Sequence, residues 1–266
     1  MATVHYGSDR WIDIQLSYLR RNMSEPYLVW ASLEDVPGDH SAKFGRTVTA
    51  LGAHPGKLNL LAAEISAEAA PQDLIVFLDG DAFPIVDPMP TVRRALSGTR
   101  LVAVRRDENA GHNQPHPCFC ALTVATWEEL HGDWSSAYSW AGPEGTPISD
   151  VGGNLLRALE RSGVSWTPLL RTNRVDLHPV WFAIYGGVVY HHGSGFRPAM
   201  SYLDLQDRPK VWSRGRQLPV VGRAIRRFNR TRLHHWRAEV ARSAERLGDE
   251  MIEKIKRDPE FYKELL

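Results

Sequence analysis

The chain has 266 residues, with 32 Lys and Arg against 31 Asp and Glu, for a formal net charge of +1. Its 43% hydrophobic and 24% charged residues are ordinary for a soluble globular protein, which excludes disorder as the whole answer and a small scaffold needing disulfides. The longest clean apolar run, Leu74-Ile75-Val76-Phe77-Leu78, is far short of the roughly 18 residues of a membrane span.

Cys118 and Cys120 sit too close in sequence to staple anything, and no basic-then-apolar leader pattern opens the chain. A cytoplasmic protein is therefore expected. In chain order, Thr3-Val4-His5-Tyr6 reads as a short strand ending at Gly7-Ser8-Asp9. Trp11, Ile14, Tyr18 and Leu19 recur at helical spacing over residues 11–22. Tyr27 to Trp30 reads as a second strand, and Pro55-Gly56 opens an Ala/Leu-rich helix. Leu74 to Leu78 is apolar on both faces, as a strand inside a parallel sheet must be. A helix over residues 90–97 and a strand over Leu101 to Val104 follow. This alternation predicts an α/β fold with a mostly parallel sheet flanked by helices.

Beyond residue 105 the rhythm loosens. Residues 105–117 and 132–149 read as long loops, residues 154–161 as a helix, and Val188-Val189-Tyr190 as a last strand. From Arg214 the chain reads as a helical, Arg-rich arm. The expected division is a catalytic domain over residues 1–212 and a C-terminal basic amphipathic helical arm over residues 213–266.

Two segments carry chemistry. In the first, the apolar run Leu74 to Leu78 leads straight into Asp79-Gly80-Asp81. The carboxyl ends of strands form the ligand crevice of open α/β sheets, and residues i and i+2 of an extended chain point the same way. Two carboxylates side by side are costly unless a cation joins them, and a hard divalent ion that also grips phosphate fits. In the second, Val188-Val189-Tyr190-His191-His192-Gly193-Ser194-Gly195-Phe196-Arg197-Pro198, a strand ends in two histidines. Neutral imidazole suits a metal already half-caged by carboxylates. The N–H groups around Gly193 and Gly195, with the planar fork of Arg197, suit phosphate oxygens. Neighbouring residues of a strand face opposite ways, so one of His191 and His192 is expected to ligate, and both remain open.

Asp79-Gly80-Asp81, the short strand at Val4-His5-Tyr6 and the helix opened by His54-Pro55-Gly56-Lys57-Leu58 together resemble the GT-A-type glycosyltransferases, in part the galactosyltransferase- and glycogenin-like group. That resemblance implies a Rossmann-like fold and a nucleotide-sugar donor, UDP-linked, whose diphosphate is held by Mn²⁺ or Mg²⁺ on Asp79, Asp81 and His191 or His192. It implies donor contacts for Asp79, Gly193, Gly195 and Arg197, nucleobase and ribose contacts for His5, Tyr6, Gly7 and Asp9, and a place near the phosphates for Lys57. Asp150 becomes the general base of an inverting reaction, or a group orienting sugar or acceptor in a retaining one; Ser149 or Asp150 reads equally as a helix N-cap. The acceptor is a sugar, a lipid-linked compound or a small molecule, with Trp134 or Trp140 as stacking surfaces and His112 and His116 as further candidates. Cys118 and Cys120 lack zinc-site spacing and read as strand packing.

Two rivals stand beside this reading. A haloacid-dehalogenase-like phosphatase also uses D-x-D, and a non-catalytic nucleotide- or carbohydrate-binding module needs no turnover. Residues 214–246 hold ten arginines and no lysine against Glu239 and Glu245, a net +8. This stretch predicts a membrane-surface contact, at the inner face of a membrane, or a self-association surface; nucleic acid is not expected, since no recognised motif accompanies the charge. The remaining 22 basic and 29 acidic residues leave the rest of the chain at −7.

Overall fold

A computed structural model describes residues 1–175, 178, 180–193, 195, 208–211 and 219–266. Two compact units are distinguished by packing: Met1–Phe196 with Pro259–Leu266, and Arg197–Asp258.

The first unit is built on a seven-stranded sheet. Its strands in chain order are β1 (Ala2–Tyr6), β2 (Trp30–Glu34), β3 (Arg46–Val48), β4 (Leu74–Asp79), β6 (Leu101–Val104), β7 (His116–Thr123) and β10 (Thr167–Leu169), arranged β10-β6-β7-β4-β1-β2-β3. β7 is antiparallel to β4 and β6, and the other pairings are parallel. The expected α/β fold with a mostly parallel sheet is therefore present. The strand expected over Tyr27 to Trp30 begins at Trp30, and the expected loop over residues 105–117 gives way to β7 at His116.

Period-2 alternation explains why both faces are covered. In β4, Val76 and Leu78 enter one core with Ile12, Leu16 and Leu19 of helix α1 (Ile12–Asn22) and Met89 and Val92 of α3 (Met89–Leu96). Ile75 and Phe77 enter the other core, with Leu58, Leu61 and Ile65 of α2 (His54–Glu68) and Leu155 and Leu159 of α5 (Gly153–Ser162). Pro55 sits in the first turn of α2, where its missing N–H costs nothing. The short helix α4 (Val124–Glu129) is capped by Thr123, whose Oγ1 accepts the N–H of Thr126 at 3.1 Å. Cys118 and Cys120 are both free and buried, as strand packing requires.

A second, antiparallel sheet joins β5 (Ala82–Pro84), β12 (Val189–His191) and β11 (Ala183–Tyr185) in the order β11-β12-β5. Its register pairs His191 with Ala82, which brings the end of β12 against the turn between β4 and β5. A two-stranded hairpin of β8 (Trp140–Ala141) and β9 (Pro147–Ile148) precedes α5. Residues after Pro259 return to this unit, and Phe261 packs edge-on against Tyr190 with ring centroids 5.0 Å apart.

The second unit contains α6 (Pro219–Arg257), on which Arg223, Arg226, Arg227, Arg230 and Arg232 are exposed. Among the described residues no helix is long and apolar enough to cross a membrane.

Candidate metal centre and its surroundings

The parallel strands end at one rim, which carries Tyr6 of β1, Glu34 of β2 and Asp79 of β4. Gly80 turns the chain, and Asp81 follows as a buried carboxylate. His191 Nε2 lies 3.8 Å from Asp79 Oδ2 and 3.5 Å from Asp81 Oδ1. One donor atom from each of Asp79, Asp81 and His191 falls within 4.8 Å of the others. The β5–β12 pairing directs His191, and not His192, to the carboxylates. His192 faces the other way, its ring 4.5 Å from Trp11 and its Nδ1 3.1 Å from the Tyr190 hydroxyl.

Burial opposes the charge of Asp81, yet its neighbours outweigh that cost. The neighbouring imidazoles of His191 and His192 and the N–H of Gly195 hold the carboxyl well below the usual range. The Gly195 N–H donates to Asp81 Oδ2 at 2.9 Å, and Trp11 Nε1 donates to the Gly195 carbonyl at 3.1 Å. A Cβ at position 195 would lie 2.6 Å from both Asp81 Cβ and Trp11 Nε1, so only glycine fits. This N–H therefore serves Asp81, where a phosphate contact had been expected. Gly193 turns the chain with φ of +72°, and Arg197 lies outside the described residues.

Two residues that sequence reasoning did not place at the centre hold it in shape. His54, at the start of α2, has Nε2 3.1 Å from Asp79 Oδ1. Burial lowers its pKa, but the hydrogen bond and charge of Asp79, with Asp81 behind it, raise it overall against the opposing Lys57. Gln15 of α1 donates through Nε2 to the carbonyls of Asp79 and Ala82, both at 2.8 Å, and through Oε1 meets Thr3 Oγ1 at 3.0 Å and His5 Nε2 at 3.2 Å. The signal for Gln15 was a glutamine on the core-facing side of α1, between Ile12 and Leu19.

His5 corrects one expectation. Alternation along β1 turns it inward, where it is 0% exposed between Gln15 and Phe44 and out of reach of a nucleotide. Burial pushes its pKa down to about 4. Tyr6, the next residue, faces out and is 48% exposed. Lys57 is also corrected: it is buried, ion-paired with Glu34, and its ammonium sits 4.8 Å from the Tyr6 ring centroid, so its charge does not project toward phosphates. Gly7 takes φ of +65° in the turn after β1, and Asp9 remains at the rim beside His40 at 3.6 Å.

From His191 a line of polar side chains runs along the second half of the rim. His116 is buried with its ring centroid 5.9 Å from that of His191, and Arg106 Nη1 lies 3.2 Å from His116 Nε2. Burial and then Arg106 hold the His116 pKa well below the ordinary value. Glu108 is 3.9 Å from Arg106 and is hydrogen-bonded by the Tyr185 hydroxyl. At the end of the line, His112 Nδ1 lies 3.4 Å from Asp150 Oδ2. Neither Ser149 nor Asp150 caps α5. Gly152, at φ of +88°, occupies the N-cap, and Asp150 Oδ1 accepts instead from the Val151 N–H at 2.8 Å. Trp134 is a core residue, edge-on to Phe77 at 4.9 Å, and so does not offer a face to an acceptor. Trp140 is largely buried beside His112.

No family model and no curated protein matches this sequence. Among solved structures, the chain is similar to the apo form of the glycosyltransferase GlyE from Streptococcus pneumoniae TIGR4, with 17% identity over 47% of this chain and 34% of that one and a TM-score of 0.33. A second structure of GlyE gives 18% identity over 48% and 35% of the two chains, again with a TM-score of 0.33. The chain thus matches about a third of the length of those structures.

Proposed function

We propose that this chain is a divalent-metal-dependent glycosyltransferase of the GT-A type, moving a sugar from a nucleotide-diphosphate donor, UDP-linked, to an acceptor hydroxyl. The observation that carries the reading is the convergence of Asp79, Asp81 and His191 at the carboxyl end of a mostly parallel sheet. Their donor set of two carboxylate oxygens and one imidazole nitrogen suits Mn²⁺ or Mg²⁺. Cis ligands of a six-coordinate ion of this size stand about 3 Å apart, and the three groups, 3.5 and 3.8 Å apart in the His191 pairs and all within 4.8 Å, would draw together around it.

A bound divalent ion would supply positive charge for the departing diphosphate. The chain's own residues do the rest. Gly195 leaves Asp81 Oδ1 clear by taking Oδ2, and His54 engages Asp79 Oδ1 while Oδ2 turns to His191. Tyr6, Gly7 and Asp9 are exposed at the rim, where this reading puts the nucleoside. The exposed arginines of α6 supply a contact for an anionic lipid surface, which suits a lipid-linked acceptor.

The test is a thermal-shift and calorimetric screen of UDP-, GDP-, ADP- and dTDP-sugars, each with Mn²⁺ and with EDTA. Metal-dependent stabilisation by one nucleotide class is expected, and Asp81→Asn is expected to lose it. Asp81→Asn also removes one ligand of three, so Mn²⁺ alone should bind at least about tenfold more weakly. Equal donor binding in EDTA, or an Asp81→Asn variant that binds metal and donor like the parent, overturns the reading. Phosphate release from a simple monoester without nucleotide would instead favour the phosphatase.

A further inference from the structure

We propose that His112, oriented by Asp150, takes the proton of the acceptor hydroxyl, and that Asp150 acts through it as a positioning residue. This assignment rests on the glycosyltransferase reading and deepens it, since a carboxylate base at position 150 was the expectation.

The two loops that carry the pair are interlocked. Trp140 Nε1 donates to the Gly111 carbonyl at 2.8 Å. Gly111 has φ of +81°, and a Cβ there would meet Ile148 Cδ1 and Pro143 Cδ at 2.6 Å. Across from it, a Cβ on Gly152 would lie 2.2 Å from the Pro115 carbonyl oxygen. Gly111 is thus packed against the side chains of Ile148 and Pro143 and Gly152 against the Pro115 backbone, and the close fit of the two loops holds His112 beside Asp150.

The hydrogen-bonding pattern assigns the roles. Asp150 Oδ1 is tied to its own backbone at Val151, and Oδ2 faces the ring. Nδ1 of His112 is also 3.3 Å from Nε2 of Gln114, a buried residue whose Oε1 has no partner among the described residues. Exchanging the amide's oxygen and nitrogen turns the oxygen toward the ring as an acceptor for a proton on Nδ1, beside Asp150 Oδ2. That tautomer leaves the lone pair on Nε2, at the far side of the ring from Asp150. The His112 side chain keeps 20% of its surface exposed, enough for an acceptor to reach it.

Four charged or titratable groups bear on this ring. Asp150 and Glu108 favour its cationic form, Arg106 disfavours it, and His116 stands beyond Arg106. Trp140 contributes an uncharged edge 6.5 Å away. Burial is the largest influence, and with Arg106 it holds the His112 pKa below its ordinary value, so the ring is a neutral base at neutral pH.

The step balances as follows. The acceptor proton passes to His112 Nε2 while the acceptor oxygen's lone pair forms a bond to the anomeric carbon. The bond from that carbon to the diphosphate oxygen breaks, and the diphosphate leaves with the electron pair. The imidazolium is stabilised by Asp150 and Glu108 until its proton passes to solvent.

The test uses the full chain with Mn²⁺ and UDP-glucose, UDP-galactose and UDP-N-acetylglucosamine in turn, with water as acceptor and UDP release as readout. His112→Gln is expected to lower turnover at saturating donor about 100-fold, to bind donor by calorimetry within about twofold of the parent, and to lose the acidic limb of the pH profile. Asp150→Asn is expected to keep that limb but move it to lower pH, because the carboxylate that favours the cation is gone. ¹⁵N NMR of the labelled parent chain needs no variant and should show His112 with its proton on Nδ1. Parent-like turnover with an unchanged acidic limb in His112→Gln, or a proton on Nε2 by NMR, overturns this assignment and leaves the glycosyltransferase reading standing. Absence of donor binding to the parent overturns both.

Discussion

At the scale of single residues, His5 shows how burial converts a candidate ligand into a stability term. It lies inside the first unit with its pKa pushed down from 6.5 to about 4. Between those values the unfolded chain binds a proton that the folded chain does not, so stability rises with pH across that window. The contribution is complete above about pH 6.5 and falls away as pH drops toward 4, by an amount on the order of 3 kcal/mol. His112 and His116, also depressed, slope the same way. Urea titrations from pH 7 to 4 should therefore show falling stability in the parent and a shallower fall in His5→Asn. An identical slope in the variant would mean that His5 titrates normally. Gln15 next to it meets four partners with one amide, which explains a polar residue on the core side of α1.

At the scale of elements, the small sheet β11-β12-β5 is the device that completes the centre, and its far side is closed by Phe261. That ring is buried against Tyr190, with Tyr18 and Phe83 each 6.2 Å away. Phe261→Ala leaves a cavity beneath the strand that presents His191, and should cost about 3–5 kcal/mol by urea denaturation. A loss below about 1 kcal/mol would show that the returning segment is not part of this core. In the chain β12 was legible one residue early, as Val188 to Tyr190, but β5 and β11 were not, because three residues are too few to show a period. β4 was legible for the opposite reason: a strand covered on both faces must be apolar throughout, and the charges that follow it stand out. The sheet's one antiparallel strand was missed at its start because Pro115 and Pro117 flank His116 and its pairing is long-range. Alternation alone separates His191 from His192 but does not say which face has the carboxylates. That answer comes from the β5 register. The pairings of His54 with Asp79 and of His112 with Asp150 depend on loops brought together by the fold, and no local pattern encodes them.

At the scale of the whole molecule, the net charge of +1 conceals a segment of +8 and a remainder of −7. Within the second unit, Arg223, Arg226, Arg227, Arg230, Arg232, Arg237, Arg242 and Arg246 are all exposed on α6, with Phe228 half-exposed among them. Each arginine brought to an anionic membrane surface contributes about 1 kcal/mol, and the attraction fades within a Debye length. Several arginines engaged together are enough for measurable binding without a membrane-spanning segment. The intact chain should therefore co-sediment with vesicles containing phosphatidylserine at low salt and not with purely phosphatidylcholine vesicles. High salt should release it, and the triple variant Arg226→Glu, Arg227→Glu, Arg230→Glu should bind markedly less while retaining Mn²⁺ binding at Asp79 and Asp81. Equal binding to both vesicle types would assign the contact to Phe228 and its apolar neighbours. No binding to either, with a dimer by light scattering, would assign the arginine-rich helix to self-association.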